Sequence, residues 1–75
     1  MNNYFSVMSL NLVAWLISKD FEIIETALIN NQVTFFFEKS PELSEAINDY
    51  NNNIELKKFL GAFKQVKQIM YKTKN

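Results

Sequence analysis

The chain has 75 residues and a net charge of zero, with eight lysines against eight acids, and it is 48% hydrophobic and 15% aromatic. It is too short for two ordinary domains and too apolar for a disordered tail. His, Cys and Arg are absent and Gly61 is the only glycine; this excludes disulfides, imidazole or thiolate metal sites, Cys nucleophiles, His-dependent triads and a glycine-rich phosphate loop.

Residues 3–8, Asn-Tyr-Phe-Ser-Val-Met, read as a short strand, because aromatic and β-branched residues suit a half-buried pleat. Ser9 is placed to cap a helix from Leu10 to about Lys19, its hydroxyl satisfying a free N–H of the first turn. Leu10, Val13, Ala14 and Ile17 fall on one stripe of that helix, and Leu12, Trp15 and Leu16 widen it. So apolar a helix has to be covered on more than one side.

Phe21 to Ile29 and Gln32 to Glu38 read as two strands joined at Asn30-Asn31, since Asn tolerates the positive φ that a two-residue hairpin turn needs. That turn sets a register in which Leu28 faces Val33, Thr26 faces Phe35, Ile24 faces Phe37 and Glu22 faces Lys39. The expected core face therefore holds Ile24, Leu28, Val33, Phe35 and Phe37. The other face carries Phe21, Ile23, Ala27, Ile29 and Phe36, with Glu25, Gln32, Thr34 and Glu38 between them.

Ser40-Pro41-Glu42 is a helix start, with a capping hydroxyl, proline at the first position and an acid against the helix dipole. Leu43, Ala46, Ile47 and Tyr50 follow at i, i+3, i+4 and i+7, and Tyr50-Asn51-Asn52-Asn53 ends the run. Asn53 can cap a last helix from Ile54 to about Lys72, in which Leu56, Phe59, Ala62, Phe63, Val66, Ile69 and Met70 are expected to form the buried stripe. The whole chain, 1–75, is thus expected to be a single small α+β domain. It is an antiparallel sheet with helices, in the order β-α-β-β-α-α.

Little in the chain is suited to chemistry. Glu22 and Glu25 point to opposite faces of the hairpin, and Glu25 and Glu38 stand several residues apart along their strands. They read as edge charges that keep the hairpin soluble. No serine has a histidine to activate it, and no Asp-rich loop suggests Mg²⁺ or Ca²⁺. We therefore expect no catalytic residue, no metal, no cofactor and no enzymatic activity.

Charge is unevenly spread. Residues 1–53 hold two lysines and seven acids, a net of −5, and residues 54–75 hold six lysines and one acid, a net of +5. Lys57, Lys58, Lys64, Lys67 and Lys72 are the candidate nucleic-acid contacts; lysines alone give salt-dependent, poorly sequence-specific phosphate binding. The balance of the whole chain at zero weighs against a dedicated nucleic-acid binder. Asn, Lys, Ile, Phe and Tyr make up 35 of the 75 residues, as in a protein from a low-GC genome. The longest fully apolar run, Leu12 to Ile17, is six residues, where a spanning helix needs about 20. Met1-Asn2-Asn3 lacks the basic start of a signal peptide, so a cytoplasmic location without membrane partners is expected.

Tyr4-Phe5-Ser6-Val7-Met8-Ser9-Leu10, Leu12-Val13-Ala14-Trp15-Leu16, Ser18-Lys19-Asp20-Phe21, Val33-Thr34-Phe35-Phe36-Phe37-Glu38, Ser40-Pro41-Glu42-Leu43 and Phe63-Lys64-Gln65-Val66-Lys67 occur in an order that resembles a small domain-of-unknown-function family. That family is found in phages, prophages and mobile elements of low-GC bacteria, and in some chromosomal proteins. Asp20 departs from the glycine expected at the end of the first helix, and the hairpin turn is shorter than expected. The family carries no assigned activity, so the resemblance implies no functional residue. What it implies is a phage or mobile-element accessory protein.

The leading expectation is a non-catalytic protein–protein interaction module that modulates a host protein or defence system. The alternative is a nucleic-acid-binding accessory protein. The first partner expected is the chain itself, as a homodimer touching through Leu12, Trp15, Ile23 and Phe36, since broad exposed apolar surface marks interfaces. An unidentified host or phage protein is the other expected partner.

Overall fold

The computed structural model describes residues 3–74. Met1 and Asn2, part of the segment read for a signal start, lie outside the described residues, as does Asn75. The elements run β1 (Tyr4–Val7), α1 (Leu10–Ser18), β2 (Glu25–Ile29), β3 (Gln32–Glu38), α2 (Pro41–Asn52) and α3 (Ile54–Lys74). The fold is α+β in the order read from the sequence, with an antiparallel sheet of strand order β1-β3-β2.

Local signals act where the sequence places them. The Ser9 hydroxyl accepts from the Leu12 N–H at 3.3 Å, and the Ser40 hydroxyl from the Leu43 N–H at 3.0 Å. The Asn53 side-chain oxygen accepts from the Leu56 N–H at 3.0 Å and so starts α3 with only Asn53 between it and α2. Asn30 and Asn31 both adopt positive φ, 53° and 63°, the type I′ geometry that matches strand twist. Leu28 pairs with Val33 and Thr26 with Phe35, as the turn demands.

The hairpin departs from expectation at both ends. β2 begins at Glu25, so Ile24–Phe37 and Glu22–Lys39 are not strand pairs. The cause is the end of α1. Asp20 takes φ 70°, its N–H bonds the Ile17 carbonyl at 2.9 Å and the Phe21 N–H bonds the Leu16 carbonyl at 3.0 Å. This is a Schellman stop, which turns Phe21 back onto the core beside Leu16 and delays the strand.

The core is Val7, Val13, Leu16, Phe37, Leu43 and Ala46, with Leu12, Trp15, Phe21, Ile23, Phe35 and Ile47 half-buried against it. Register puts Val7, Phe35 and Phe37 on one face of the sheet, and that is the face α1 and α2 cover. Phe37 is only 1% exposed. Ile24, Leu28 and Val33 were expected to be buried with it and are exposed, Leu28 to 70%. β1 ends opposite Phe35 and the chain leaves for α1, so the hairpin tip projects past everything that could cover it. In α1 the inward stripe is Val13 and Leu16, while Leu10, Ala14 and Ile17 are exposed.

The largest correction concerns α3. None of the described residues of this 21-residue helix is buried. Leu56 and Leu60 are half-covered, but Phe59, Ala62, Phe63, Val66, Ile69 and Met70, expected to close the core, are exposed. The reason is one of connection. α1 and α2 already cover the core face of the sheet, and α3 leaves α2 through the single residue Asn53, so no part of that face is left for it.

Candidate interaction surface

The residues proposed as a dimer contact do not share one surface. Leu12, Trp15 and Ile23 are half-buried against the core, and Phe36 lies half-buried on the opposite face of the sheet. Trp15 joins α1 to α2. Its Nε1–H donates to the Ala46 carbonyl at 2.9 Å, and its ring meets that of Tyr50 at 6.0 Å and 53°. The Lys19 ammonium lies 4.5 Å from the Trp15 ring. These contacts give Trp15 a place within the chain that hydropathy alone does not reveal.

Besides the bare hairpin tip, two open surfaces remain among the described residues. The first is α3. Phe59 and Phe63, one turn apart, stack with centroids 6.5 Å apart and planes within 6°, and the Lys67 ammonium sits 5.0 Å from the Phe63 ring. Val66, Ile69 and Met70 continue the apolar arc. Lys57 reaches back to lie 4.0 Å over the Tyr50 ring, which ties the start of α3 to α2. Lys58, Lys64 and Lys72 are exposed, and Lys64 and Lys67 line a shallow cleft between α3 and Asn11 of α1. The structure thus sets the five candidate lysines along one helix, with Lys57 and Lys67 against aromatic rings.

The second open surface is the sheet face turned away from the core. It carries Tyr4, Ala27, Ile29 and Phe36 with the carboxylates of Glu25 and Glu38. Phe21 and Ile23, expected here, instead pack toward the core. Thr34, on the central strand, is the one buried residue of this face; Tyr4 and Ile29 are close to half exposed.

Among the described residues, no group of three or more acids is placed to hold a metal ion, and no helix is long and apolar enough to cross a membrane. The arrangement supplies apolar area, aromatic rings and opposite charges on separate elements. The apolar arc of α3 is legible in the sequence as a pattern, but its residues face solvent and not the core. The signal against burial is the number of helices: α1 and α2 between them already cover one face of a three-stranded sheet.

No curated protein and no solved structure shows significant similarity to the chain. Residues 2–72, nearly its full length, match the family described as Domain of unknown function (DUF5659), in keeping with the resemblance to a domain of unknown function in the sequence. The chain belongs to that family.

Proposed function

We infer that this domain is a non-catalytic protein–protein interaction module that works through α3. The observation carrying this reading is a 21-residue amphipathic helix with no buried residue, whose apolar arc of Phe59, Phe63, Val66, Ile69 and Met70 faces solvent. Apolar surface of this extent and continuity is uncommon on soluble monomers and is characteristic of partner sites. An amphipathic helix laid into a groove is also a recurrent way for one protein to grip another. The A/T-rich residue usage and the phage and mobile-element associations of the family resemblance support an accessory role in the cytoplasm of a low-GC bacterium, with a host protein or defence component as target.

Affinity capture from a low-GC bacterial lysate tests this. The wild-type chain retains a specific host protein, and the double change Phe59→Ser with Val66→Ser lowers that capture at least ten-fold. Equal capture by both chains, or none by either, contradicts the reading.

A second reading rests on the exposed lysines Lys58, Lys64 and Lys72, which give α3 a phosphate-binding side. Gel-shift titration across a salt series separates the two. An affinity falling steeply with salt, and weakened by each lysine removed, supports nucleic-acid binding.

A further inference from the structure

We propose that α3 docks on the open sheet face of a second copy of this chain, reciprocally, so that two copies cover each other's exposed apolar surface. The inference rests on the reading of α3 as an interaction surface and names its occupant.

Charge complementarity carries it. Residues 54–75 hold a net +5 and residues 1–53 a net −5, and of the acids of the latter the outer sheet face carries Glu25 and Glu38. Pairing α3 with another α3 sets +5 against +5 across helices about 10 Å apart, close to the screening length of about 8 Å at physiological salt. Docking α3 on the body of another copy brings opposite charges together instead. Two such contacts arise from one two-fold axis, because each copy carries both halves of the match.

The sheet face fits this role better than the other open patch. Leu28 and Val33, paired beside the Asn30-Asn31 turn, are exposed, but no acid lies in residues 28–33. The sheet face combines apolar Tyr4, Ala27, Ile29 and Phe36 with Glu25 and Glu38. Against it α3 offers Phe59, Phe63, Val66, Ile69 and Met70, flanked by Lys64 and Lys67. Apolar area meets apolar area, and lysines meet carboxylates at the rim.

The absence of cysteine makes a clean test. Ser6→Cys, on the open face opposite Phe36, and Val66→Cys on α3 are prepared separately in the full chain and mixed with a short bis-maleimide. Sedimentation equilibrium of the unlabelled wild type at tens of micromolar is expected to show twice the 8.8 kDa monomer mass. In the mixture, the Ser6→Cys/Val66→Cys product is expected to exceed either self-linked product several-fold. Glu25→Lys with Glu38→Lys on the sheet-labelled chain is expected to abolish that product, and Lys64→Glu with Lys67→Glu on the helix-labelled chain to restore it.

Dominant self-linking of Val66→Cys would overturn the proposal in favour of α3–α3 pairing. A wild type that stays at monomer mass and binds anionic phosphatidylserine vesicles would overturn it in favour of a lipid surface. A monomer that still captures a host protein through α3 overturns self-docking alone and leaves the interaction reading standing.

Discussion

Asp20 holds φ 70°, a conformation that costs an L side chain about 1–2 kcal/mol and costs glycine almost nothing. Asp20→Gly is therefore expected to stabilise the fold by about 1 kcal/mol, seen as a melting temperature higher by about 4–8 °C. An unchanged or lower melt would show that the carboxylate offsets its own strain. Phe37 bears the opposite burden, as the largest fully buried side chain of the core. Phe37→Ala is expected to cost about 3–5 kcal/mol, comparable with all that a core of this size supplies. Its far-UV circular dichroism should show a largely unfolded chain at 37 °C. Retention of the cooperative melt would contradict the placement of Phe37.

Each helix is started by a hydroxyl or amide oxygen read directly from the sequence, yet the three differ in what holds them. α1 and α2 are fixed by the core and by the Trp15–Ala46 hydrogen bond. α3 is held at its start by Asn53 and Lys57, and beyond Leu60 rests largely on its own propensity. Gly61 lies inside it with nothing within 4 Å of an added Cβ and without a positive φ. Gly61→Ala is thus expected to strengthen the helix by about 1 kcal/mol. Hydrogen exchange is the sensitive measurement: amides of α3 should slow severalfold while those of β3 change little. Equal slowing throughout would mean that α3 unfolds only together with the body.

At the scale of the molecule, two layers enclose the core and, besides the hairpin tip, two apolar surfaces stay outside it, one basic and one acidic. Reciprocal docking makes stability depend on concentration, because association stabilises only the folded state. The wild-type melting temperature is expected to rise as protein is raised from one to a hundred micromolar. With Phe59→Ser and Val66→Ser the melt should no longer depend on concentration, since neither residue is buried in the single chain. A wild-type melt independent of concentration would count against association. Such a ledger also accounts for a 75-residue chain that leaves so much apolar area outside its own core: a small domain gains what it lacks by sharing surface.

Ser9, Asn30-Asn31, Ser40-Pro41 and Asn53 determined where elements begin and turn, because capping and positive φ are satisfied within three or four residues. For the same reason β3, bracketed by the Asn turn and the Ser40 cap, was legible residue for residue. The period-two alternation of the hairpin and the i, i+3, i+4 stripe of α3 determined which residues share a face. They could not determine what lies against that face. Only the tertiary structure decided that Phe37 is enclosed while Leu28 is bare, since β1 ends at Val7, opposite Phe35, and leaves the hairpin tip without a neighbouring strand there. It likewise left α3 uncovered. An amphipathic pattern demands an apolar neighbour, and whether the same chain supplies one depends on which faces its other elements already cover, a property of the assembled fold.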